Sequence, residues 1–200
     1  MKPIKLRRID HVGLRVADLE EATRRWSIQF GLTLREKRGN QSFLSCGYEP
    51  YSLQLMEDQH PGYDHTAYEL AKDVSLDDAA RYLEAKGWDY RREGDSLYLK
   101  DVEGNTVELL PYRPKDNPLP DVARRTETLP GFRPRKLGHV NFLTAKLEEQ
   151  VKFYTEILGM RITDWLGSEG VWFHINADHH VMALVNKGYS HVHHFALEMV

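Results

Sequence analysis

The chain has 200 residues, 41% of them hydrophobic and 28% charged, with ten histidines, one cysteine and a formal net charge of −3 at pH 7. That length allows one large core or two small ones, and the near-balanced charge gives no electrostatic case for nucleic acid or an anionic membrane as partner. The single cysteine, Cys46, excludes an intrachain disulfide and fits a reducing cytoplasm. The basic start MKPIKLRRID leads into no apolar stretch of a secretory signal's length, and no run is long enough to span a bilayer, so a cytoplasmic location is expected.

In chain order, IDHVGLRV (9–16) alternates and is rich in β-branched residues, which predicts a strand. Asp18 followed by Glu21 predicts a helix N-cap; Leu19, Ala22, Trp26 and Phe30 fall near helical spacing, and Gly31 suits the stop. QSFLSCG and YSLQLMED read as strands, and YDHTAYEL (63–70) begins the same plan again. Ser75 is the expected cap of a second helix with Leu76, Ala79, Ala80 and Leu83 as its buried stripe and Gly87 as its stop, followed by strands SLYLKD and NTVELLPY. Residues 111–136 contain six of the nine prolines and read as an extended linker, because proline cannot donate to a strand ladder and breaks helices. LGHVNF then opens a third unit, with a helix expected from about Leu147 to Leu158, and SHVHHFALEMV (190–200) opens a fourth.

An internal repeat organises this order. IDHVGLRVADLEEATRRWSIQFGL (9–32) and LGHVNFLTAKLEEQVKFYTEILGM (137–160) share a plan in which His11 and His139, the Glu20–Glu21 and Glu148–Glu149 pairs, and Gly31 and Gly159 all keep one offset of 128 residues. YDHTAYEL and VHHFALEM repeat likewise, with His65 and His194 offset by 129. The expected fold class is therefore α+β, made of paired βαβββ modules. The expected organisation is an N-terminal domain (1–112), a Pro-rich linker (113–136) and a C-terminal domain (137–200) whose last module is incomplete.

Successive side chains on a strand point to opposite faces. His11 shares a face with Gly13 and Arg15, His65 with Ala67 and Glu69, His139 with Asn141, and His194 with Ala196 and Glu198, while Glu108 lies opposite Val107 and Leu109. Each potential ligand thus falls on the small or polar face, opposite the bulky face that a helix would cover. One strand histidine is more often solvated or hydrogen-bonded than a ligand; four at matching module starts favour metal binding. His60, His180 and His191 lack that support and read as surface residues, and His193 is expected on the helix-covered face in a structural role.

With DHV-type histidines opening strands and DVEGNTVEL closing a module, the chain resembles the vicinal oxygen chelate (glyoxalase/bleomycin-resistance) superfamily, and its two-domain plan resembles the type I extradiol ring-cleavage dioxygenases. The resemblance implies a two-histidine, one-carboxylate centre for non-haem Fe(II), with Mn(II) as the alternative. Carried over, His139 and His194 are the metal ligands in the C-terminal domain, and the third, a glutamate, is expected beyond residue 200. Glu198 cannot serve, lying about 13 Å from His194 along the same strand. His179 takes the place of the family's acid/base histidine, with its neighbour His180 as rival, and His174 and Trp172 are expected to line the substrate cavity. His11, His65 and Glu108 form a second candidate metal set; the alternative is an ancestral remnant whose histidines only hydrogen-bond. The implied reaction is extradiol cleavage of a catechol-type aromatic diol by O2, in a protein that forms homo-oligomers as this family commonly does. A glyoxalase- or isomerase-like metal enzyme and a small-molecule-binding resistance protein are the competing readings.

Overall fold

The computed structural model describes residues 2–47, 49–114 and 134–199. Among them the first module contributes β1 (Leu6–Val16), α1 (Leu19–Phe30), β2 (Thr33–Arg38), β3 (Gln41–Ser45) and β4 (Leu53–Glu57). The second contributes β5 (Gly62–Leu70), α2 (Leu76–Ala85), β6 (Tyr90–Glu93), β7 (Ser96–Lys100) and β8 (Thr106–Leu110). The third contributes β9 (Pro134–Thr144), α3 (Leu147–Lys152), a π-helical turn (Phe153–Ile157), β10 (Arg161–Leu166), β11 (Gly170–His174) and β12 (Met182–Asn186), and β13 (His191–Met199) follows.

Eight strands form one sheet in the order β2-β3-β4-β1-β5-β8-β7-β6, and five form another in the order β10-β11-β12-β9-β13. The architecture is the mixed α+β one that the modules predict. In the first and third modules the opening strand runs parallel to the closing one, with Val12 opposite Leu53 and Val140 opposite Met182. Such parallel neighbours need a long crossover, which α1 and α3 with their following hairpins supply. By its contacts the chain forms two compact units, one built from the stretch up to Ile9 with Thr66–Arg113 and His139–Phe195, the other centred on Asp10–His65.

The helices start where local chemistry dictates. The Asp18 carboxylate accepts from the Glu21 N–H at 2.8 Å, and Ser75 and Asp78 satisfy each other's backbone N–H groups in a capping box. Gly31 ends α1 at φ 67°, a left-handed conformation that costs glycine nothing. The third helix has Lys146 at its N-cap and no side-chain cap of its own. Glu103, from the turn between β7 and β8, substitutes: its carboxylate accepts from the Ala145 N–H (2.9 Å), the Thr144 hydroxyl (2.5 Å) and the Gln150 amide (3.1 Å). In the same unit Trp88 stacks on Phe153 with ring centroids 4.9 Å apart, and the Tyr82 hydroxyl donates to the Glu156 carbonyl.

A further repeat ties the opening strands down. Glu69 on β5 is fully buried and accepts from Arg7 (2.5 Å) and Arg8 (2.7 Å) on β1. Glu198 on β13 is paired with Arg135 and with Lys136 (3.1 Å) on β9.

Three expectations need correction. The linker expected over 113–136 ends earlier, since Pro134–Lys136 begin β9; proline is tolerated as the first residue of a strand, and 115–133 lie outside the described residues. His193 is exposed rather than set on a helix-covered face, because β13 is an edge strand of its sheet. The polar face of β1 and β5 is not open: His11, His65 and Glu69 are all buried. Cys46 is buried and forms no disulfide, and no helix among the described residues is long and apolar enough to cross a membrane.

Candidate metal centres

Each neighbouring pair of opening strands, β1 with β5 and β9 with β13, brings two histidines together. The Nε2 atoms of His11 and His65 are 3.0 Å apart, and so are those of His139 and His194. The rings meet edge to face with centroids 5.1 Å apart in both pairs. Two imidazole nitrogens 3.0 Å apart are close enough to share a proton or a cation.

The surroundings of the two pairs differ. His11 Nδ1 lies 2.9 Å from the Asp10 carboxylate and His65 Nδ1 2.7 Å from that of Asp64. An ionised carboxylate only accepts, so each Nδ1 donates to its aspartate and the two Nε2 atoms are left facing each other. Among the described residues His11, His65 and Glu108 are the group of three whose ligand atoms all lie within 4.8 Å of one another. All three are buried, at 0%, 3% and 4% exposure. The Tyr98 hydroxyl donates to Glu108 at 2.9 Å; burial and this carboxylate push the Tyr98 pKa up, so the phenol stays protonated. Gly13 makes room for this arrangement, since a Cβ there would overlap the His65 ring.

At the second pair the places of Asp10 and Asp64 are taken by Gly138 and His193, and His193 Nδ1 lies 2.7 Å from His194 Nδ1. His194 is exposed and His139 half-buried. Asn141 stands where the first half has Gly13, with its amide oxygen buried and without a hydrogen-bond partner. His180, not His179, faces His139, with ring centroids 4.4 Å apart. His179 is exposed and touches the pair's surroundings through His180, Nδ1 to Nδ1 at 3.1 Å. Trp172 meets the His180 ring at 6.4 Å, and His174 is hydrogen-bonded to Thr163 at 2.6 Å. His60 and His191 are exposed, as expected.

The offset of 129 that relates His65 to His194 also relates Tyr51 to His180, and Tyr51 stacks on His11 at 4.7 Å as His180 does on His139. That correspondence was available in the sequence and distinguishes His180 from His179. Asp10, Asp64 and Gly13 were missed as supporting residues because their roles depend on which ring atom faces which neighbour.

Burial, then the nearby His180 and His194, push the His139 pKa down to about 4 from an ordinary 6.5. In the metal-free protein, histidine NMR should show His139 titrating near pH 4 and neutral at pH 6, ready to ligate without losing a proton. A midpoint of 6 or above would contradict this environment. Because the folded-state value lies below the unfolded one, this group's contribution to stability is intact above about pH 6.5 and is lost as pH falls through about 4.

A family model described as Glyoxalase/Bleomycin resistance protein/Dioxygenase superfamily matches residues 136–199. The structure of BphC, a halotolerant catechol dioxygenase, superposes with a TM-score of 0.80 at 19% identity, covering 98% of this chain and 70% of that one. The fold is that of the glyoxalase/vicinal oxygen chelate superfamily. Within that superfamily fold, sequence relatives diverge in activity. Metapyrocatechase 2 of Cupriavidus necator is 26% identical over 220 aligned positions, covering 96% of this chain and 65% of that protein. Glutathione transferase FosA of Serratia marcescens is 29% identical over 115 residues, covering 52% of this chain and 80% of that protein.

Proposed function

We propose that this vicinal oxygen chelate protein cleaves a catechol-type diol by extradiol addition of O2, at an Fe(II) ion to which His139 and His194 contribute imidazole ligands. The observation that carries this reading is the third histidine: His180 lies against His139 in the position that Tyr51 occupies in the first half. A histidine pair alone would suit Lewis-acid chemistry as well. A third imidazole beside it adds a group able to take and return a proton near neutral pH.

The donor set fits the ion. Two neutral imidazoles accept Fe(II) or Mn(II), and with the glutamate expected beyond residue 200 they would make the two-histidine, one-carboxylate set whose open positions suit oxygen chemistry. When bound, the metal would chelate the diol and bring it together with O2. Cleavage breaks the ring bond next to the diol, and both atoms of O2 end in the product, so no external reductant is needed. His180 takes a diol proton and returns it to the product, exchanging it with solvent through exposed His179. Trp172 forms an apolar wall beside it, and His174, held by Thr163, lines the same side. The 26% identity with metapyrocatechase 2 over 96% of this chain supports this reading.

The test is anaerobic loading of the protein with Fe(II), addition of catechol, and then oxygen. Oxygen uptake with a yellow ring-fission product is expected, lost in His139→Ala and His194→Ala and kept in His11→Ala. No uptake with any catechol overturns the proposal, and activity that follows His11 and His65 moves it to the other pair. A metal-dependent transferase or lyase is the second reading, favoured by the FosA identity; it requires turnover under strict anaerobiosis.

A further inference from the structure

We infer that Thr163 is a positioning residue: its hydroxyl fixes the segment between β11 and β12 so that His180 is held against His139. The placement stands on geometry, and its effect on turnover rests on the ring-cleavage reading.

Thr163 sits at a break in the β10–β11 ladder. Ile162 stands opposite Phe173 and Asp164 opposite Trp172, so Thr163 is the extra residue of a β-bulge. A bulge takes one side chain out of the strand's alternation and re-aims it. Here the Thr163 hydroxyl donates to the His179 carbonyl at 2.6 Å. A hydroxyl has one proton to give. With that proton on the carbonyl, the 2.6 Å contact with His174 Nδ1 is a bond that the imidazole donates. One side chain thus ties the last residue of β11 to the residue before His180.

The peptide after His180 is anchored as well. The Val181 N–H donates to the Phe173 carbonyl at 2.8 Å, and the Val181 carbonyl accepts from the Val140 N–H at 3.1 Å. His180 therefore lies between two fixed peptides, and its ring rests on His139 with centroids 4.4 Å apart. Removing the hydroxyl frees the leading side of this segment and leaves only the trailing side held.

The first half repeats the bulge with different chemistry. Leu34 stands opposite Leu44 and Glu36 opposite Phe43, which makes Arg35 the extra residue, at the same offset of 128 from Thr163. Arg35 donates to the Gly47 carbonyl at 3.4 Å, in the segment that leads to Tyr51, the counterpart of His180. In each module the bulged side chain bonds a carbonyl of the segment that carries the ring stacked on the opening histidine. An irregularity of one hairpin would not recur with the same connection.

The experiment compares Thr163→Val, which keeps the β-branched shape and loses the hydroxyl, with Thr163→Ser, which keeps the hydroxyl. Thr163→Ala cannot make the bond either and should behave as Thr163→Val does, so the result does not hang on the folding of one variant. Circular dichroism checks that each is folded. The first readout is the nuclear Overhauser contact between the His180 and His139 rings in the metal-free protein. It should be present in the unsubstituted protein and in Thr163→Ser, and weakened in Thr163→Val and Thr163→Ala. The second readout is turnover of a catechol by the Fe(II)-loaded protein. Thr163→Val should lower kcat about 10- to 100-fold with KM and iron content little changed, since a misplacement of about 1 Å can cost that much. Thr163→Ser should stay within a few-fold of the unsubstituted protein. Ring contacts or kcat left unchanged in the folded valine and alanine variants overturn the assignment, and so does a serine variant as impaired as they are. An unsubstituted protein that turns over no catechol overturns the ring-cleavage reading instead, and the ring contacts still decide whether Thr163 holds His180.

Discussion

Under the proposed ring cleavage, replacing His180 with glutamine should lower turnover of a catechol by about two to four orders of magnitude, the usual contribution of a positioned acid/base group. His180 stacks on His139 with centroids 4.4 Å apart and is half-buried, whereas His179 is exposed. The same change at His179 should therefore alter turnover by only a few-fold, since water can replace its part in proton exchange. Metal content should be unchanged in both variants, and the loss in His180→Gln should fall on kcat rather than KM, because the group acts on a proton after substrate has bound. Burial and the neighbouring His179 push the His180 pKa below the ordinary histidine value. The neutral base is thus present at neutral pH, and the acid limb of the rate profile should lie below that value in the native protein and vanish in the variant. Equal losses at His179 and His180, or a loss accompanied by metal release, would refute this assignment.

The second large effect concerns stability. Glu69→Ala should destabilise the fold by about 3 kcal/mol, the lower end of the roughly 3–5 kcal/mol that follows from removing one partner of a buried ion pair. Glu69 is fully buried between Arg7 and Arg8, and its loss leaves two guanidinium groups without their carboxylate. The Arg7 side chain remains 31% exposed, and water can partly compensate it, which sets the lower figure. The matching carboxylate, Glu198, is 37% exposed, so Glu198→Ala should cost less than about 1 kcal/mol. Urea midpoints of the two variants, compared at equal m-value, measure the difference. Equal shifts would show that burial does not decide the worth of this repeated clamp.

Much of the molecule was legible before its structure. The offset of 128 or 129 residues located the modules, and strand alternation with the caps Asp18 and Ser75 located their elements. These are local signals, written in residues near one another in the chain. Edge strands β2 (TLREKR) and β6 (YRRE) were not singled out, because both are polar and mostly exposed and carry no apolar alternation. The π-helical turn at Phe153–Ile157 also left no mark, since an apolar stripe constrains which face is buried more than how tightly the backbone winds.

By itself the sequence determined that four histidines stand at corresponding places of the repeat and fall into two pairs. The 129-residue offset from Tyr51 singles out His180 in the sequence, and only the tertiary structure showed which ring it meets. The parallel register of β12 against β9, with Met182 opposite Val140, brings the residues just before β12 alongside His139, and His180 rather than His179 lands on its ring. Only the structure decided, too, that the polar face of β1 and β5 is buried while His194 on the edge strand β13 is exposed. Alternation tells which residues share a face. What covers that face depends on strands and side chains far away in the chain, and that long-range packing separates a sealed histidine pair from an accessible one.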